Sequence, residues 1–213
     1  MTAETKSAPK IWITWIAKLM AGNAQCRWAA WFKAHFHYDK LPETTGWNVE
    51  NWTMEHNALL RGRKATLEAQ GFTVFVEDQN TLDIVGKSGI WVSGKPDLVA
   101  LTPDGAEFWV EDAKTGAPKT CDHAQVGIGM LLLPHTNKDR VGDRHPRGNV
   151  IYKNSLAPVK PIDPKLFSQT VDLIGGPIAP DKTPSWGECR YCDIPDCRVR
   201  VMEKPKDTTC DLF

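Results

Sequence analysis

The sequence predicts an α/β fold, and three observations predict it. Apolar residues recur at helical spacing over residues 11–37 and 51–70. Three strand-like segments follow at 72–77, 90–101 and 107–114. A further helix, 122–133, then precedes a strand at 149–153. Trp12, Trp15, Ile16 and Leu19, then Trp28, Trp31 and Phe32, carry the first helical segment, which Gly22 and Asn23 divide. In the second, Trp52, His56, Leu59, Leu60, Arg63 and Leu67 fall near one face and Gly71 stops the helix, so His56 points inward among apolar residues.

Between 90–101 and 107–114 stands Thr102-Pro103-Asp104-Gly105, whose proline and glycine preset a turn, making a β-meander. Pro134 is expected to end the helix at 122–133. A proline-rich stretch, 158–184, contains a short helix over 163–174 with a stop at Gly175-Gly176, and tethers a cysteine cluster at the C-terminal end.

With 213 residues, the chain suits a single domain: an N-terminal helical segment (11–37), a core (51–157) and a C-terminal tether (158–213). Hydrophobic residues at 41% and charged residues at 24% exclude a disordered or a membrane-embedded class. The nine tryptophans are spread along the chain, which fits packing rather than one ligand cage. A net charge of zero excludes a broadly nucleic-acid-coating surface. Lys138, Arg140, Arg144 and Arg147 still form a local basic segment, read equally as a solvated loop or as a DNA contact. The apolar run at 11–20 is too short to span a membrane and contains Lys18, so an intracellular (cytoplasmic) protein is expected. In a reducing compartment, six cysteines are better ligands than disulfides.

Asp97, Asp112 and Lys114 are the residues with the clearest chemistry. Side chains alternate along a strand, so Asp112 and Lys114 share one face while Glu111 and Ala113 share the other. Hard divalent cations take carboxylate oxygens. Asp112 with Asp97 from the neighbouring strand suits Mg²⁺ or Mn²⁺, and Lys114 suits orienting a water or stabilising charge on a phosphate. A two-residue turn would set Asp97 opposite Val110, and a three-residue loop would set it opposite Glu111. Pro96 implies an edge or a bulge beside it, and Glu77 reads as an exposed acid at a strand end.

The order of these elements, with Pro96-Asp97, Asp112-Ala113-Lys114 and a helix bearing Gln125, resembles the PD-(D/E)xK nuclease core. The closest likeness is to its RecB-like branch, through Gly94-Lys95-Pro96-Asp97, Asp112-Ala113-Lys114-Thr115-Gly116 and Gln125. The resemblance implies a central mixed sheet flanked by helices, metal ligation by His56, Asp97 and Asp112, catalysis by Lys114, and an active-site or DNA contact from Gln125. Read by itself, His56 is a packed core histidine. The family's tyrosine four positions after the glutamine is replaced here by Gly129.

Cys189, Cys192 and Cys197 offer three thiolates within nine positions, with the fourth ligand free to come from elsewhere; Cys26 is the choice for it, and Cys210 could replace it in a purely local site. Zn²⁺ or an iron–sulfur cluster would suit them equally. Cys26-Arg27-Trp28 and the three later cysteines resemble the iron–sulfur RecB-like nucleases, which include the CRISPR-associated exonucleases of the Cas-four type and the AddB nuclease domain. In those proteins one N-terminal and three C-terminal cysteines hold a [4Fe–4S] cluster joining the two ends of the fold. This chain has four residues between Cys192 and Cys197 where five is usual, and Cys121 reads as an unliganded thiol at a helix start.

The resemblance implies a metal-dependent deoxyribonuclease, favouring exonuclease action on single-stranded DNA ends. The alternatives are an endonuclease or end-trimming factor working with a recombination or CRISPR-adaptation partner or as a homo-oligomer, and a DNA-binding subunit with vestigial nuclease residues.

Overall fold

A computed structural model describes residues 3–42, 48–195 and 197–204. In chain order the elements are β1 (Glu4–Thr5), β2 (Lys10–Trp12), α1 (Ile13–Met20), α2 (Arg27–His35), β3 (Phe36–His37), α3 (Val49–Ala69) and β4 (Thr73–Val76). A 3₁₀ turn (Glu77–Asn80) follows, then β5 (Leu82–Val85), β6 (Trp91–Gly94), β7 (Leu98–Leu101), β8 (Glu107–Lys114) and α4 (Thr120–Thr136). The chain continues through α5 (Lys138–Val141), β9 (His145–Tyr152), β10 (Ser155–Val159), α6 (Pro164–Gly175) and α7 (Trp186–Cys189).

The described residues form a mixed α/β fold around a five-stranded sheet ordered β10-β9-β8-β7-β4, with a three-stranded sheet β2-β6-β5 and the small β1-β3 pair beside it. In the large sheet β8 and β9 run parallel and the other neighbours antiparallel. A parallel pair needs a long crossover, and α4 supplies it. One face, carrying Leu98, Ala100, Ala113 and Ile151, packs on Leu60 and Leu67 of α3. The other, carrying Val99, Phe108, Val110 and Val150, packs on Val126 and Met130 of α4. Being enclosed by the sheet and α1, α4 is apolar nearly all round.

Local chemistry explains where α3 begins and ends. Asn48 caps it by accepting the Asn51 N–H, and Gly71, at φ +84°, takes the left-handed turn that ends it. Several expectations are corrected. Residues 11–37 divide at Gly22-Asn23 into two helices as expected, but the ends differ: Lys10–Trp12 pairs in parallel with β6, and Phe36–His37 pairs with β1. The strand expected over 90–101 is two strands in different sheets, β6 and β7, broken where Pro96 cannot donate to a ladder. Buried Asn80 pins this corner by donating to the carbonyls of Phe75 and Pro96. Pro134 does not end α4, which runs to Thr136. So late in a helix a missing N–H costs one bond, and the Leu133 carbonyl is still taken by Asn137.

The segment 138–147 is not a solvated loop, for it forms α5 and the start of β9. Its arginines are engaged internally. Arg140 donates to the Gln79 carbonyl at 2.6 Å and lies over the Phe75 ring, Arg144 donates to the Val141 carbonyl, and Arg147 pairs with Glu107. Among the described residues no helix is long and apolar enough to cross a membrane.

Candidate active site

Asp97 and Asp112 meet at the ends of β7 and β8. Asp104 shapes the connection by accepting from the Thr102 hydroxyl and the Ala106 N–H, while Gly105 takes φ +73°. Leu101 pairs with Phe108 and Thr102 N–H bonds the Glu107 carbonyl, leaving a four-residue loop, 103–106. This register differs from both hairpin readings. Leu98 is opposite Glu111, so Asp97 lies one step further along, level with Asp112 rather than with Val110 or Glu111. Beyond the last pair of the ladder, the Asp97 carboxylate itself accepts the Ala113 N–H at 2.8 Å, continuing the pairing through a side chain.

The fold brings all five residues of this constellation together. His56 Nε2 from α3 lies 3.1 Å from Asp97 Oδ2, Gln125 of α4 donates to Asp112 Oδ1 at 2.9 Å, and Lys114 Nζ lies 2.5 Å from Asp112 Oδ2. Trp52 stacks on the His56 ring at 5.0 Å. Each flanking helix thus holds one carboxylate from its own side of the sheet.

The electrostatics follow from this crowding. Burial, then the adjacent Asp97 carboxylate, push the Asp112 pKa up to about 7 against the pull of Lys114. Burial works against the Lys114 ammonium, but Asp112 and Asp97 outweigh it and hold its pKa above the ordinary lysine value. The hydrogen bond to Asp97 raises the His56 pKa although burial opposes it.

One atom decides how well a divalent cation fits. Asp112 Oδ2 is buried, and the Lys114 ammonium lies 2.5 Å from it. A buried carboxylate oxygen neutralised only by a neighbouring ammonium is suited to a divalent cation as well. Of the three expected ligands, His56 is engaged with Asp97, and among the described residues no three His, Cys, Asp or Glu side chains gather closely enough to hold a metal ion. The fit is therefore that of two adjacent carboxylates beside a lysine, suiting a cation that keeps water and substrate oxygens as its other ligands.

Glu77 is exposed, as expected, just past the end of β4. It opens the 3₁₀ turn at φ +46°, with its N–H on the Asp97 carbonyl. Gly129 is explained by packing, because a Cβ there would come within 2.9 Å of Val110 Cγ1 and 3.5 Å of Pro96. A tyrosine at this position has no room.

Two polar networks behind the site escaped the sequence reading. Fully buried Glu111 receives Arg63 through two bonds of 2.6 Å and Asn149 at 2.7 Å, fastening α3 to β8 beside Asp112. The signal was available: strand alternation turns Glu111 away from Asp112, and Arg63 lies on the His56 face of its helix. Asp122 accepts the Lys119 N–H and the Tyr152 hydroxyl, tying the start of α4 to β9; burial and this bond push the Tyr152 pKa up to about 12.

The cysteines lie in a second region. Cys26 precedes α2, and its N–H and that of Gln25 both donate to the Glu188 carboxylate, while Thr183 donates to the Gln25 carbonyl. Asp193 then joins the C-terminal segment to Lys33 and Tyr38. Cys26, Cys121, Cys189, Cys192 and Cys197 are free thiols, with Cys189 and Cys121 buried. Burial raises the Cys192 pKa. The two ends of the fold are thus joined by carboxylate hydrogen bonds, and the cluster expected to join them is not gathered among the described residues. Cys210 lies outside those residues.

No family model and no curated protein matches the chain. Among solved structures it is similar to one described as "Crystal structure of SSO0001", at 17% identity and a TM-score of 0.47, over 89% of this chain and 85% of that one.

Proposed function

We propose that the chain is a divalent-metal-dependent deoxyribonuclease, with exonuclease action on single-stranded ends as its narrower form. The observation that carries this reading is the Asp97–Asp112 pair with the Lys114 ammonium 2.5 Å from a buried Asp112 oxygen. The narrower form is supported by the resemblance of the Gly94–Asp97 and Asp112–Gly116 motifs alone.

A Mg²⁺ or Mn²⁺ ion held by Asp97 and Asp112 would polarise the scissile phosphate and lower the pKa of a bound water. Gln125 fixes Asp112 through the oxygen facing away from Lys114, and His56 and the Ala113 N–H fix Asp97, so both carboxylates are set before substrate arrives. Lys114 stays cationic in its half-buried position and stabilises the negative charge that builds on the phosphate during attack. Asp112 must release its proton when a cation binds, since the buried pair favours the neutral acid below about pH 7.

The proposal also assigns Cys26, Cys189, Cys192 and Cys197 to a structural [4Fe–4S] cluster, with zinc as the alternative. The Glu188 bonds support it by holding the Cys26 backbone against the residue that precedes Cys189. DNA is the partner in either case.

Anaerobically purified protein given Mn²⁺ and end-labelled single-stranded DNA is expected to degrade it, to stop with chelator, and to fail as Asp97→Ala. Iron and sulfide near four per chain would support the cluster. DNA binding without cleavage under every metal condition would replace this reading with a binding subunit.

A further inference from the structure

We propose that Lys18 and Lys119 form a rim beside the active site that holds a backbone phosphate of the DNA strand next to the scissile one. This deepens the nuclease reading and rests on it.

Lys18 lies in the last turn of α1, and Lys119 immediately precedes α4. The two positions are brought together by Asn23, in the turn after α1, whose Oδ1 accepts both the Thr120 hydroxyl at 2.7 Å and the Cys121 N–H at 3.0 Å. Both lysines are exposed, and among the described residues neither ammonium has an ion-pair partner. Asp122, the carboxylate on the same turn, is occupied by the Lys119 N–H and the Tyr152 hydroxyl.

Lys114 completes the convergence. Lys18, Lys119 and Lys114 all act on the buried Cys121 thiol, each lowering a pKa that burial and Asp122 raise. Lys114 ends β8 and Lys119 precedes α4, so the chain between them leads from the catalytic lysine to the rim, a few residues before Gln125, which holds Asp112.

The helix end does not bind the phosphate by itself, because the Cys121 N–H is taken by Asn23 and the Asp122 N–H by the Lys119 carbonyl. The lysines supply the attraction. Beyond Asp97, the opposite rim is acidic. Glu77 and Asp78 are both exposed there, and the nearby Lys95 is engaged by Asp78. A polyanionic strand passing the carboxylates is drawn along the α4 side and repelled from the other.

The test measures single-stranded oligothymidylate binding in Asp112→Asn protein, which removes cleavage from the readout, across a salt series with Mg²⁺. Adding K18Q and K119Q together is expected to weaken affinity at least tenfold and to flatten the salt slope by about 0.7, the value for one phosphate contact on a single strand. K18R and K119R should restore both values. The pair K64Q and K87Q removes the same charge elsewhere and should change neither. Thermal midpoints check that each variant folds.

If K18Q/K119Q leaves affinity and slope unchanged while the parent binds DNA, or matches K64Q/K87Q, the rim is wrong and the nuclease reading stands. If neither the parent nor the wild-type protein binds DNA and the wild type cleaves none, both fall together.

Discussion

The carboxylate site and the cysteine segment are held together by opposite means. At the first, the reacting groups are the contacts: β7 and β8 put Asp97 level with Asp112, and His56, Lys114 and Gln125 each touch one of them. At the second, the contacts are made by other residues, and the thiols stand beside them. Glu188 and Asp193 hold the C-terminal segment to α2 and its neighbours, while the cysteines remain free. The fold preorganises the charged site through its sheet, whereas the thiol region is docked through Glu188 and Asp193.

The comparison breaks most visibly at Arg63. Arg63→Ala leaves Glu111 buried without its cation, and a loss of about 3–5 kcal/mol is expected in urea unfolding. Arg63→Met with Glu111→Leu should recover much of that loss, because the pair's desolvation cost disappears with its charges. A loss below about 1 kcal/mol for Arg63→Ala would mean that the sheet alone positions β8.

A second effect sharpens the electrostatic half. The folded pKa of Asp112, about 7, lies above its unfolded value of 3.8, so between those values the folded chain keeps a proton that the unfolded chain has released. Its contribution is full below about pH 4 and is lost as pH rises through 7, an effect on the order of 4 kcal/mol at most. In chelator, Asp112→Asn should therefore gain on wild type as pH goes from 5 to 7.5. An unchanged gap between the two proteins across that range would contradict a shared buried carboxylate pair.

The smallest effect concerns docking. Glu188→Ala removes the acceptor for the Gln25 and Cys26 N–H groups, and a local loss of about 1–2 kcal/mol is expected. Limited trypsin digestion should cut the segment 190–200 faster while the core unfolds at nearly the same urea concentration. Unchanged digestion would show that other contacts hold the segment.

Much of the site was legible because its chemistry is concentrated in short motifs. Alternation along β8 separated Asp112 and Lys114 from Glu111, and the spacing of Leu60, Arg63 and Leu67 turned His56 toward the sheet. The register escaped because it depends on Asp104 and Gly105 building a longer loop than either hairpin considered. The change of sheet at Pro96 escaped for a related reason. An apolar run shows that a segment is buried but not which strands will flank it, and here the N-terminal Lys10–Trp12 pairs with its first half. The buried Arg63–Glu111 pair was missed although strand alternation and helix spacing turn the two toward each other, because each residue alone reads as a surface charge. Gly129 was visible as a departure from the resemblance, but its cause, the close packing against Val110, exists only in three dimensions.

The most direct test of the central claim is single-turnover cleavage of end-labelled single-stranded DNA with Mn²⁺, comparing wild type with Lys114→Ala and measuring DNA binding on the same samples. Wild type should cleave, and Lys114→Ala should bind DNA at comparable salt while its cleavage falls by about 10³-fold. Cleavage that persists at the wild-type rate in Lys114→Ala, or its absence from wild type that binds DNA, would contradict an active site built on Asp97, Asp112 and Lys114.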